Sequence, residues 1–203
     1  MTQGSRIPED YRNAILKHVG DKVGLMPADK DLFSFLLQCK SFSKGTQILR
    51  PGEICRNQSF VVKGCLRVFY LDTRGEEHIA KFATENWWAF DIESFFESTK
   101  AYYGISCLEP TIVLQLSQEA HRELLERIPA FERFYRLMLQ HSFIALQHRM
   151  TQSLALTAEE RYLRFQEKYP GLETRIPQKQ IASYLGITPV FLSMIRKLQS
   201  VKH

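Results

Sequence analysis

Apolar positions change period along the chain and divide it into three regimes. Between residues 8 and 20, Ile15, Leu16 and Val19 recur at helical spacing; between 27 and 38, Leu32, Phe35 and Leu36 do the same. Pro27 with Asp29 marks the entry of the second helix. From about Lys40 to Gln115 the period shortens. SFVVKG, CLRVFYLD, EEHIAKFAT and TIVLQLS are rich in β-branched and aromatic residues, and PGE at 51–53, KG at 63–64 and TRG at 73–75 punctuate them as turns. Strands recurring roughly every ten residues predict a β-barrel or jelly roll.

Helical spacing returns at Gln118. A short helix, QEAHRELLERI, precedes Pro129, and from Ala130 to about Leu156 the chain contains no Gly or Pro. Tyr135, Leu139, Phe143, Leu146, Met150 and Leu154 follow one another in steps of four or three. That is close to the 3.5-residue repeat of a helix packed along a partner helix. At ~1.5 Å per residue the helix would run roughly 40 Å, longer than a domain of this size needs internally. The stripe therefore predicts a homodimer seam, with a core helix lying across its own roll as the alternative. His141 and His148, seven residues apart, would line that seam or its solvent edge. A further helix follows in TAEERYLRFQEKY, where Thr157 and Glu160 form a capping box and Pro170-Gly171 makes the stop.

The last regime is QKQIASYLGITPVFLSMIRKLQ, Gln178 to Gln199. Ile181, Ala182 and Leu185 mark the inner face of a short helix, and Gly186 is the residue able to turn with positive φ. Thr188 is a suitable N-cap for a second helix, with Pro189 at its first position, where no N–H is required. Phe191, Leu192 and Ile195 would then face back onto the first helix. A small residue at the crossing, a Gly four positions later and apolar residues ten and thirteen beyond the Ala fit a helix-turn-helix. In that geometry Thr188, Pro189, Val190, Ser193 and Met194 would point at base edges in a major groove. Gln178, Lys179, Arg196 and Lys197 would face phosphates.

Charge supports this placement. The 203 residues carry 27 Lys and Arg against 22 Asp and Glu, a net +5. From Leu156 onward there are eight basic and four acidic residues, so that stretch holds +4 of the total, and no acid occurs from Ile176 to His203. A basic end favours a polyanionic partner. The predicted fold class is α+β: a β-roll with flanking helices in residues 1–128, a long dimerisation helix in 129–156, and a small helix-turn-helix unit in 157–203. No run is apolar enough to span a bilayer and the amino-terminal residues lack a signal-peptide core, so no membrane partner and a cytoplasmic location are expected.

The order of a β-roll, a long helix and a terminal helix-turn-helix, with the stretches ENWWAFDIESFF, ISCLEPTIVLQLS, AEERY and IPQKQIASYLGITP, resembles the Crp/Fnr family of bacterial transcription regulators, in a branch common in Bacteroidetes-type bacteria. The resemblance implies a cyclic-nucleotide-binding-like roll, a homodimer built on the long helix, double-stranded DNA read by the last helix, and RNA polymerase as a further partner. The family's nucleotide binders use a Gly-Glu pair for the ribose and, about ten residues on, Arg followed by Ser or Thr for the cyclic phosphate. Here Asp91 aligns with the acid but Phe90 precedes it, and Ala101 and Tyr102 fall where Arg and the hydroxyl belong. Lys100 is the one nearby cation, because no Arg lies between Arg74 and Arg122, and a lysine lacks the bidentate fork. The expected effector is therefore not cyclic AMP. The aromatic stretch that includes Phe90, Tyr102 and Tyr103 is either core packing or an apolar pocket at the old nucleotide position. In the reading helix, apolar Pro189, Val190 and Met194 stand where relatives often place Arg and Glu, and little chain remains for a β-hairpin wing.

Competing chemistry has little residue support. Cys39, Cys55, Cys65 and Cys107 form no CxxC pair and are expected to be reduced, mostly buried thiols. A cupin-type metal site needs two or three His with a carboxylate, and His78 beside Glu76 and Glu77 is the roll's one strand histidine. No catalytic residue, metal or cofactor is assigned. A ligand-binding roll whose helical pair is only structural is the alternative to a DNA-binding regulator.

Overall fold

The computed structural model describes residues 7–201. Two helices, α1 (Glu9–Gly20) and α2 (Pro27–Leu36), precede the roll. Pro27 opens α2, and the Asp29 carboxylate accepts the Met26 N–H at 3.0 Å, closing its first turn. The apolar run expected to reach residue 38 stops earlier, because Gln38 begins a strand.

Eight strands follow: β1 (Gln38–Phe42), β2 (Gln47–Leu49), β3 (Asn57–Lys63), β4 (Leu66–Leu71), β5 (Glu77–Ala83), β6 (Trp88–Ala89), β7 (Gly104–Cys107) and β8 (Thr111–Ser117). They form two antiparallel sheets, ordered β1-β8-β3-β6 and β2-β7-β4-β5. One short helix, α3 (Ile92–Glu97), interrupts them between β6 and β7. Gly64 turns β3 into β4 at φ +101°, and a Cβ there would lie 2.6 Å from Thr111 Oγ1, so the turn requires glycine.

The remaining elements are α4 (Gln118–Arg127), α5 (Ala130–Ala155), α6 (Ala158–Lys168), a 3-10 turn (Leu172–Thr174), α7 (Gln178–Leu185) and α8 (Pro189–Val201). The expected capping box at the start of α6 is present: Glu160 N–H donates to Thr157 Oγ1 and the Glu160 carboxylate accepts Thr157 N–H. Among the described residues no single helix is long and apolar enough to cross a membrane.

Two apolar cores result. The first joins α1, α2, α4 and the start of α5 to the roll through Ile15, Val19, Phe33, Phe60, Leu114, Phe131 and Phe134. Tyr135 belongs to this core and departs from the predicted seam. It is 5% exposed, and its hydroxyl donates to Gln58 Oε1 at 2.9 Å. The apolar period runs unbroken through α5, but the helix leaves the roll after Met138, so one stripe serves two environments. Beyond that point Phe143 (61% exposed), Leu146, Met150 and Leu154 (78%) face outward with no cover among the described residues.

The second core spans the roll and the carboxy-terminal helices. Cys65, Phe69, Ile79, Phe82 and Leu108 of the roll pack with Tyr162, Phe165, Tyr169, Leu172, Ile181 and Leu185. The Phe82 ring lies 5.4 Å from Tyr184 and 5.7 Å from Tyr169. Phe82→Ala is expected to cost about 3–5 kcal/mol. In urea denaturation it should separate an early transition of the carboxy-terminal helices from a later one of the roll; one unshifted transition would contradict a shared core.

Candidate nucleic-acid interface

The helical pair is built as its sequence dictates. Gly186 ends α7 in the left-handed region at φ 67°, with Ile187 N–H reaching back to Ala182 O at 3.0 Å. Thr188 Oγ1 accepts Phe191 N–H at 3.2 Å and caps α8. The two helices meet at 98°, within the range of helix-turn-helix units. Ala182, fully buried at the crossing, lets them approach, and Ile181, Leu185, Leu192 and Ile195 fill the angle.

The outer face of α8 is apolar and basic. Val190 (72% exposed), Met194 (54%) and Leu198 stand in solvent. Phe191 joins them; it is half exposed, contrary to its expected inward position, because Leu192 and Ile195 alone close the angle. Thr188, Pro189, Gln178, Lys179 and Lys197 are exposed, while Ser193 and Arg196 are half-buried. Ser193 Oγ donates to Gln178 Oε1 at 3.4 Å, so both helices share one polar contact at the expected phosphate edge. All nine predicted DNA-facing residues therefore fall on this pair.

Polar contacts tie the pair to the roll. Ile79 N–H donates to Ser183 Oγ at 3.1 Å, and Arg67 donates to Gln180 Oε1 at 3.1 Å while pairing with Glu77 at 2.6 Å. Arg175 links Glu85 and Glu109 of the roll, which hold its guanidinium firmly protonated. Arg149 of α5 donates to the carbonyls of Ile79 (3.0 Å) and Tyr184 (3.3 Å) and lies 4.4 Å above the Tyr184 ring. Sequence reasoning missed Arg67, Arg149, Arg175 and Tyr184, whose partners lie far away along the chain.

Residues 39–128 match the family model of the cyclic nucleotide-binding domain. Most of the chain also overlays on solved structures. The c-di-GMP-responsive global regulator CLP of Xanthomonas campestris is 13% identical, with a TM-score of 0.71 over 87% of this chain and 93% of that one. FixK2 of Bradyrhizobium japonicum is 16% identical, with a TM-score of 0.70 over 82% and 85%. The fold of this chain is shared with both. A putative Crp/Fnr regulator of Eubacterium rectale, 18% identical, adds a TM-score of 0.69 over 88% of this chain and 85% of its own. No curated protein matches the chain in sequence.

The residues at the expected nucleotide position make contacts within the chain. Asp91 is buried and caps α3: one carboxylate oxygen accepts Ser94 N–H at 3.0 Å and the other accepts Tyr103 N–H at 2.9 Å. Both oxygens thus already hold main-chain donors. Phe90 packs against Phe95 and Phe96, and Ala101 exchanges main-chain bonds with Gly52 and Glu53. Lys100 and Tyr102 stand in solvent, so burial divides the six candidate residues rather than gathering them around one ligand. The Tyr102 ring stacks on Tyr70, which also stacks on His78. His78 Nε2 lies 3.1 Å from Asp72 Oδ2 and, with Glu76, forms a close trio. Asp72 Oδ1 accepts the N–H groups of Glu76 and Arg74, and the Glu76 bond, then the His78 contact, hold this carboxylate down at about 2. The four cysteines are free, and burial raises each thiol above its ordinary value. As thiols they are poor nucleophiles.

Asp91→Ala strands one buried and one partly buried N–H group and removes a cap. It is expected to lower stability by about 2–3 kcal/mol in chemical denaturation. A change below about 0.5 kcal/mol would mean that the carboxylate is not a structural cap.

Proposed function

We propose that the chain is a homodimeric, DNA-binding transcription regulator whose roll answers to an effector other than cyclic AMP. The observation that carries this reading is the steeply crossed, acid-free pair α7–α8, with solvent-facing apolar residues along the second helix and basic residues at its edges. Exposed Val190 and Met194 are suited to thymine methyl groups, whereas they offer no bidentate base contact. Lys179, Arg196 and Lys197 supply the sequence-independent attraction to phosphates. The bare stripe Phe143, Leu146, Met150 and Leu154 is matched by the same stripe on a second copy, as in a two-stranded coiled coil. The effector reading is supported by Asp91, whose oxygens are engaged, and by the lack of an Arg to neutralise a cyclic phosphate.

Fluorescence anisotropy with duplex DNA tests the interface. The triple variant Lys179→Ala, Arg196→Ala, Lys197→Ala should weaken binding to all sequences and lower the salt slope by about three, one per lost phosphate contact. Affinity unchanged at low salt would overturn the phosphate role of these residues, and no binding by wild type would favour a ligand-binding roll with a merely structural helical pair. Cyclic AMP should leave the wild-type titration unmoved, and enhancement would overturn the effector reading. In analytical ultracentrifugation Leu146→Asp with Met150→Asp should convert a dimer to a monomer that keeps its helical circular-dichroism signal.

A further inference from the structure

Away from the old nucleotide position, a groove of 390 Å³ opens between α3, α4 and the first turns of α5. This is a volume suited to a small organic molecule. Its walls are Phe96, Leu125, Tyr135 and Leu139. At its floor lies His121, 6% exposed, between the rings of Tyr135 (4.5 Å), Phe95 (5.4 Å) and Phe96 (5.5 Å). His121 Nε2 is buried and has no hydrogen-bond partner among the described residues. A buried polar atom left unpaired costs on the order of 1–3 kcal/mol, and a ligand that pairs it recovers that cost. Beside it, Tyr135 is already committed to Gln58, whose own Nε2 is likewise unpartnered.

The charges at the groove define the ligand further. Glu132 and Arg136, one acid and one base, both exposed, stand at the rim and oppose each other's field. Burial keeps His121 neutral, its pKa pushed down to about 4. Neither an anion nor a cation finds a net countercharge here. A hydroxyl can donate to or accept from a neutral imidazole nitrogen, so it suits either tautomer.

We propose that this groove is the effector site, and that it takes a small uncharged amphipathic molecule: an apolar, ring-sized body bearing one hydroxyl that bonds to His121 Nε2. Its role as an effector rests on the regulator reading above, whereas its ability to bind does not. Occupancy acts on α5 directly, since Tyr135 and Leu139 line the groove, while Arg149 on the same helix grips the carboxy-terminal helices. A ligand that sets the tilt of α5 therefore bears on both the bare stripe and the α7–α8 pair.

The test uses the full chain without DNA, so that its outcome is independent of the nucleic-acid reading. The probes are 1-naphthol, naphthalene and 1-naphthoate, titrated by ligand fluorescence. Wild type should bind 1-naphthol at least tenfold more tightly than either of the others, equivalent to about 1.4 kcal/mol for the hydroxyl. Leu125→Trp, at a half-buried helix position, should fill the groove and abolish binding of 1-naphthol with an unchanged melting profile. His121→Leu should remove the preference for 1-naphthol over naphthalene while leaving naphthalene binding in place. Equal affinity for all three probes, no saturable binding below 1 mM, or undiminished binding by Leu125→Trp would each overturn the proposal. Repeating the DNA titration with and without 1-naphthol then tests the effector role separately.

Discussion

The ring of Phe82 joins what would otherwise be two folding units. It is carried by β5, yet its aromatic neighbours are Phe165, Tyr169 and Tyr184 of the carboxy-terminal helices. Because the core is common to both parts, the α7–α8 pair is not a bead on a linker. Any large reorientation would bring buried aromatic area into water, at roughly 25 cal/mol per Å². The surrounding polar contacts from Arg67, Arg149, Arg175 and Ser183 add geometry: they select one orientation among those that would bury the same rings.

α5 is the element that touches both parts. Its first turns belong to the roll core, its middle presents the bare apolar stripe, and Arg149 near its end holds two carbonyls on opposite sides of the interface. A rigid helix serving three environments cannot satisfy one without constraining the others.

The elements whose signals are local were legible in the sequence. The capping box at Thr157, the Gly186 turn and the Thr188 cap each involve residues within a few positions of one another, and all appear as expected. The unbroken apolar period over α5 was also legible, but periodicity reports which face is apolar, not what covers it; hence Tyr135 was placed on the seam although it lies in the core. Phe191 shows the converse: it satisfies the inward spacing, yet it stands 45% exposed while Leu192 and Ile195 are buried. Asp91 aligns with the family's ribose-binding acid because sequence shows only its type, while its contacts are with the main-chain groups of Ser94 and Tyr103. The groove over His121 had no sequence signal, since its walls come from three helices separated by strands and turns.

The Arg175 clamp has a consequence for how this protein meets salt. Its two carboxylate partners are about a third and a quarter accessible, so mobile ions reach them and weaken the clamp as ionic strength rises. The same ions weaken attraction between a basic helix and a polyanion. If the chain binds DNA as proposed, a logarithmic plot of affinity against salt reports two processes, counterion release at the phosphates and loosening of an internal tether beside the helical pair. The slope is a sum, and the number of phosphates it counts is separable only after the tether's own screening has been subtracted.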